Sequence, residues 1–197
     1  MLSLKKSLAV LKRTKALQEG HFILSSGLHS DKYIQCAKLL SKPRQSRSIC
    51  KSLSKKIIKN FKKIDIILSP AIGGIIIGYE MGKLLNVETI FCERVNGKFK
   101  LRRGFKINKN QKVLVVEDVI TTGKSSLECS KLIKKAKAKL IGFACLIDRS
   151  EKNKLKIKKN KIVSQVKINV PSYKKNKLPE FLKKIPVSKP GSRFLTK

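Results

Sequence analysis

Tryptophan is absent from the 197-residue chain, aromatic residues make up 6% of it, and acids number only 12 against 47 lysines and arginines. Scarce aromatics leave little platform for stacking single-stranded bases. Arginine, the usual source of bidentate base contacts, fills only 8 of the 47 basic positions, so the formal net charge of +35 does not by itself read as sequence-specific nucleic-acid recognition. The lysines are also spread along the chain. That favours a compositional bias with incidental affinity for polyanions, or a field that draws in a highly anionic substrate. No apolar run approaches the ~20 residues of a membrane helix. The five cysteines (Cys36, Cys50, Cys92, Cys129, Cys145) form no C-x-x-C pair, and His21 and His29 have no partner at metal-ligand spacing. A disulfide framework and structural zinc are thereby excluded, and a reduced, cytoplasmic protein is expected.

The 41% hydrophobic content and the length suit one domain with a sizeable core. Leu4, Leu8 and Leu11 predict an amphipathic helix over 3–18. Its basic face resembles a mitochondrial leader, but such leaders favour arginine and this one is rich in lysine. Two short strands, 22–24 and 33–36, follow around a Ser-Ser-Gly turn and read as a flap. His29 and Tyr33 are as readily packing residues as ligand contacts. Pro43 opens a helix with an Ile49, Leu53, Ile57 stripe. A strand at 64–68 ends in the small-residue turn Ser69-Pro70-Ala71-Ile72-Gly73-Gly74, which lets backbone approach a ligand closely. Gly74, Gly78 and Gly82 then make a ridge for close helix-to-sheet packing. Further strands are predicted at 87–92, 113–116, 140–147 and 162–168, a helix through Leu127, Leu132 and Ile133, a lysine-rich linker at 152–161, and a short helix at 178–185. Strands alternating with helices imply an α/β fold with a parallel sheet covered on both faces.

Two stretches carry chemistry. The first runs Val113-Leu114-Val115-Val116-Glu117-Asp118-Val119-Ile120-Thr121-Thr122-Gly123-Lys124-Ser125-Ser126: a buried strand, two carboxylates at its end, then a Thr-Thr-Gly turn into a helix. Unpaired N–H groups at a glycine turn and helix N-terminus suit a phosphate dianion. Gly123-Lys124-Ser125 echoes the G-x-x-x-x-G-K-[ST] nucleotide loop, but Asp118 stands where the first glycine is required. A carboxylate there repels a triphosphate and accepts hydrogen bonds from ribose hydroxyls, so a ribose-5-phosphate site is the better reading. Taken alone, the stretch is equally an ordinary strand end with a capped helix. The second runs 93–105, basic and glycine-punctuated, with Arg94, Arg102 and Arg103; it reads as a mobile hairpin or lid, or as a solvated charged loop. Arg149, just past a strand end, can take a carboxylate in bidentate fashion or pair with Asp148 or Glu151.

The central stretch resembles the phosphoribosyl pyrophosphate (PRPP) motif of the type I phosphoribosyltransferases. Gly20-His21-Phe22, 25–33 (Ser-Ser-Gly-Leu-His-Ser-Asp-Lys-Tyr), 69–74, Glu93-Arg94 to Gly104-Phe105, Asp148-Arg149 and 189–193 (Lys-Pro-Gly-Ser-Arg) narrow the resemblance to the orotate branch. It implies a type I phosphoribosyltransferase fold: a central, mostly parallel sheet flanked by helices, in one domain over 1–197, with 1–42 and the C-terminal tail forming a hood. It implies transfer of phosphoribose from PRPP to orotate in a homodimer, with Mg²⁺ carried by PRPP rather than by protein side chains. By the same resemblance, Glu117 and Asp118 hold the ribose hydroxyls, Thr121, Thr122, Gly123, Lys124 and Ser125 hold the 5-phosphate, and Val119 and Ile120 also contact PRPP. Arg94, Lys98 and Lys100 reach the pyrophosphate from a neighbouring subunit's lid, and Thr121 and Arg149 meet orotate. Lys98, Arg94 and Asp118 carry the catalytic roles. The better-known branch has lysines near positions 25, 73 and 95 and a histidine near 100, where this chain has Ser25, Gly73, Val95 and Lys100. A purine-type phosphoribosyltransferase and a PRPP-sensing nucleic-acid-binding regulator are the alternatives.

Overall fold

The alternation of short apolar strands with amphipathic helices produces two sheets of unequal size. The structure, a computed structural model, describes residues 1–24, 26–151, 155–158 and 161–190. Ser25, Gly191-Ser192-Arg193 and part of the predicted linker lie outside the described residues. In chain order the elements are α1 (Leu4–Arg13), β1 (Leu17–Ile23), β2 (His29–Ile34), α2 (Cys36–Leu40), α3 (Pro43–Asn60), β3 (Ile66–Pro70), α4 (Gly73–Leu85) and β4 (Thr89–Val95). There follow β5 (Lys98–Leu101), β6 (Lys112–Ile120), α5 (Lys124–Lys135), β7 (Lys139–Asp148), β8 (Ile162–Lys167), α6 (Glu180–Lys183) and β9 (Val187–Ser188).

The six-stranded sheet has the order β5-β4-β3-β6-β7-β8, with every neighbouring pair parallel except β4 and β5. β6 is therefore central, and its side chains alternate between two cores. Leu114 and Val116 join Leu11, Leu39, Ile49, Leu53, Ile77 and Met81 beneath α1 to α4. Val113 and Val115 join Cys129, Ile133, Phe99 and Phe143 beneath α5. The glycine ridge of α4 lies flat on this sheet: a Cβ at Gly78 would run into Ser69, and one at Gly82 into Thr89.

The smaller sheet has the order β2-β1-β9, so the N-terminal hairpin is closed by a strand from the far end of the chain. His21 and His29 sit inside it, Nε2 to Nδ1 at 2.6 Å, and Tyr33 packs on Phe22 with ring centroids 5.7 Å apart. Both His29 and Tyr33 thus have packing roles.

Two expectations are corrected and a third is met. The first helix stops at Arg13, because Lys15 takes a left-handed φ of 59° and Leu17 begins pairing with Ile34. Residues 33–36 do not form one strand; Cys36 starts α2, burying Leu39 and Leu40. The hairpin expected after Cys92 is present: Cys92↔Leu101, Glu93↔Lys100, Arg94↔Phe99 and Val95↔Lys98 pair in antiparallel register. The turn that closes it is Asn96-Gly97, with φ values of 50° and 75°, the positive-φ pair that matches strand twist.

Candidate active site

At the C-terminal ends of β3, β6 and β7, four pieces of chain converge around the end of β6. Such an edge is where open parallel sheets bind ligands. Glu117, Val119, Ile120, Thr121, Thr122, Gly123, Lys124 and Ser125 line one cavity of about 150 Å³. Gly123 has a φ of 69°, which an L side chain adopts only with strain, and a Cβ there would also meet Ile157 at 2.9 Å. The turn delivers the chain into α5, whose first N–H groups have no intrahelical acceptor and whose dipole is positive at this end. Residues 155–157 lie over the loop: the Lys156 N–H donates to the Thr122 carbonyl at 2.8 Å.

The two carboxylates diverge, as neighbours on a strand must. Glu117 points to the α5 side and accepts a hydrogen bond from the Ser126 hydroxyl. It is only 7% exposed, and burial pushes its carboxyl from 4.5 to about 7, against the lowering effect of Ser126 and with a further push from Asp118. Asp118 points to the start of α4. Burial raises its carboxyl too, opposed by backbone hydrogen bonds, one of them from the Val119 N–H at 2.9 Å. A Cβ on Gly73 would stand 2.8 Å from an Asp118 carboxylate oxygen, so with Asp118 in this position a lysine at 73 has no room.

Arg149 follows β7, and its N–H donates to the Ile120 carbonyl at 2.9 Å, fixing it beside the phosphate-type loop. Asp148 is not its ion-pair partner: Asp148 takes Lys167 at 3.3 Å and the Ser150 N–H at 2.9 Å. The Arg149 Nε is buried with no hydrogen-bond partner among the described residues, and burial lowers its pKa, partly offset by Glu151.

The hairpin residues divide. Lys98 shares a cavity of about 500 Å³ with Lys124, Lys131 and Lys156, floored by Phe99 and Leu127. Lys100 lines a separate cavity with Phe105, Leu132 and Lys135, so the structure does not bring it to the loop. Arg94 is turned onto α5, where it pairs with Glu128 at 2.9 Å. Ser126, Glu128 and the cover at 155–157 were missed by sequence reasoning. Only Ser126, in the first turn of a helix following a carboxylate strand, left a readable signal.

A β6 strand ending in acids, a glycine turn into α5 and a mostly parallel sheet define a phosphoribosyltransferase-type site. The family model described as "Phosphoribosyl transferase domain" matches residues 39–176. An orotate phosphoribosyltransferase of Parvibaculum lavamentivorans is 45% identical over 192 residues, covering 97% of this chain and 98% of its own. Among solved structures, orotate phosphoribosyltransferase from Aeropyrum pernix aligns with a TM-score of 0.68 at 22% identity, over 81% of this chain and 92% of that one. Adenine phosphoribosyltransferase from Thermoanaerobacter pseudethanolicus aligns at 0.59 and 17% identity, over 70% of this chain and 88% of that one, so the shared fold alone does not select the base. The chain belongs to the phosphoribosyltransferases and, within them, to the orotate phosphoribosyltransferase family.

Proposed function

We propose that this protein transfers the 5-phosphoribosyl group from PRPP to orotate, releasing pyrophosphate and forming orotidine 5′-monophosphate for pyrimidine biosynthesis. Arg149 carries the choice of acceptor: its guanidinium Nε, buried without a hydrogen-bond partner among the described residues and beside the phosphate-type loop, matches the carboxylate of orotate. A purine has no carboxylate and would leave that donor unpaired, which is costly in a buried site.

In this reading the 5-phosphate lies in the Thr121 to Ser125 turn against α5. The ribose hydroxyls face Glu117 and Asp118, and the acceptor lies between Thr121 and Arg149. As the C1–O bond to pyrophosphate breaks, its electron pair leaves with the diphosphate and the ring becomes oxocarbenium-like. Orotate N1 gives up its proton to the departing diphosphate or to water and bonds to C1 from the opposite face, with inversion. Buried carboxylates beneath the ring stabilise that positive charge, and Arg94 and Lys98 stabilise the departing negative charge. Glu117 and Asp118 diverge and do not converge on one ion, which fits Mg²⁺ held by substrate oxygens and waters. Bound with PRPP, the ion would neutralise charge on the leaving diphosphate.

Ile72, Ile76 and Tyr79 lie along one side of α4 with exposures of 86%, 53% and 67%, an apolar stripe that supports a homodimer. The hairpin then serves the neighbouring subunit's site. A cytoplasmic location is in keeping with five free, buried cysteines; among the described residues no helix is long and apolar enough to cross a membrane.

Orotate against adenine, hypoxanthine and guanine as acceptors, each with PRPP and Mg²⁺, tests the assignment. Orotate alone should release pyrophosphate, and turnover on a purine would replace this reading. Arg149→Ala should raise KM for orotate about 10- to 100-fold, the loss of one charged hydrogen-bonding group, with KM for PRPP little changed; unaltered orotate kinetics would remove Arg149 from the site. Lys98→Ala and Asp118→Asn should each be strongly impaired alone and regain activity when mixed as heterodimers. Mixtures that stay impaired would place the hairpin over its own subunit's site.

A further inference from the structure

Arg94 has five N–H donors, and the structure accounts for three of them. Nη1 donates to the Glu128 carboxylate at 2.9 Å and to the Gly97 carbonyl at 2.6 Å. Nη2 donates to the other Glu128 oxygen at 3.2 Å. The guanidinium also lies over the Phe99 ring, 4.1 Å from its centroid. Glu128 thus grips the end of the guanidinium, the edge formed by Nη1 and Nη2. The Nε–H and the second Nη2–H remain without a partner among the described residues. In a planar guanidinium those two hydrogens form the lateral fork, parallel to each other and spaced for two oxygens of one phosphate.

We propose that Glu128 is a positioning residue: from α5 it pins Arg94 of the hairpin so that the lateral guanidinium fork is presented to the diphosphate of the donor. The inference rests on the reading of Arg94 as a diphosphate contact. The grip fixes a side chain that otherwise has many rotamers, on a hairpin at the edge of the sheet, and so reduces the ordering cost of each turnover. It also ties the hairpin, which serves the neighbouring subunit's site, to α5, whose first turn faces the 5-phosphate of its own subunit's site. Structural stabilisation is a weak alternative. Arg94 is 41% exposed and Glu128 23%, and ion pairs this open to solvent add little to stability.

The test is a double-mutant cycle on kcat for orotate-dependent pyrophosphate release, with ribose 5-phosphate, which has no diphosphate, as a binding probe. Glu128→Ala should lower kcat by about 10- to 100-fold, the scale of misplacing a reacting group by ~1 Å, with the melting temperature nearly unchanged. Glu128→Gln keeps the shape but replaces one of the two acceptor oxygens with an NH₂ donor and removes the charge, and should fall between parent and alanine; it carries the comparison if the alanine variant does not fold. In an Arg94→Ala background, Glu128→Ala should cause no further loss, and neither change should alter the Kd for ribose 5-phosphate. Parental kcat in both Glu128 variants would overturn the proposal. So would multiplied losses in the double variant, or weakened ribose 5-phosphate binding, each of which would assign Glu128 to α5 and its loop instead. Parental kcat in Arg94→Ala would overturn it on different ground, by removing Arg94 from the diphosphate.

Discussion

Asp118→Asn is expected to lower kcat by about 10²- to 10³-fold, the range seen when one preorganised electrostatic group is removed from a transition state, while the melting temperature holds or rises. The two effects have one cause. Asp118 is buried against the start of α4, and burial raises its pKa because the charged form is poorly solvated there. An amide of the same shape relieves that cost, so the fold does not suffer. The oxocarbenium-like ring, however, loses a negative charge that the ground state scarcely needs. Steady-state kinetics beside a thermal melt check both halves. Unchanged kcat would take Asp118 out of the reaction, and a large drop in melting temperature would mean that its charge holds the fold together.

Glu117 should make the protein less stable as pH rises. Its carboxyl titrates near 7 in the folded chain against 4.5 ordinarily, chiefly through burial. Between those values the folded state holds more protons than the unfolded state, so stability falls as pH rises through the window. The deficit is complete above the folded value and absent below the ordinary one. At about 1.4 kcal/mol per pKa unit, the shift corresponds to about 3 kcal/mol. Glu117→Gln should therefore be more stable than the parent at pH 8, by up to about 3 kcal/mol, and equal to it near pH 4. Chemical denaturation of both proteins at the two pH values measures this directly, and an equal difference at both would contradict it. The same titration should give kcat/KM an acid limb near pH 7, since a protonated Glu117 cannot offset positive charge on the ring.

The readable parts of this chain are those where one residue type has one local physical consequence. Val113 to Val116 could only be a buried strand at that length, Pro43 could only open a helix, and Asp118 in place of glycine ruled out a nucleoside triphosphate loop. The glycine ridge on α4 implied close packing, and Ser69 and Thr89 lie against it. What could not be read depends on contacts between distant elements. The stretch at 93–105 reads as a hairpin or as a solvated loop; its pairing register from Cys92 to Leu101 and the packing of Phe99 under α5 required the fold. Glu128 is an unremarkable helix-surface acid until the hairpin brings Arg94 beside it. Divergence of Glu117 and Asp118 followed from strand alternation, but what each meets, Ser126 or the start of α4, required the fold. The family resemblance groups Lys98 with Lys100, yet the structure places them in different cavities.

The central claim is that the end of β6 binds a phosphoribosyl donor and that Arg149 selects orotate as its acceptor. Pyrophosphate release from PRPP and Mg²⁺, followed with orotate and with adenine in parallel on the parent and on Arg149→Ala, addresses it most directly. The account predicts release by the parent with orotate only, and a KM for orotate raised about 10- to 100-fold in Arg149→Ala. Turnover with adenine, or orotate kinetics indifferent to the loss of Arg149, would contradict it.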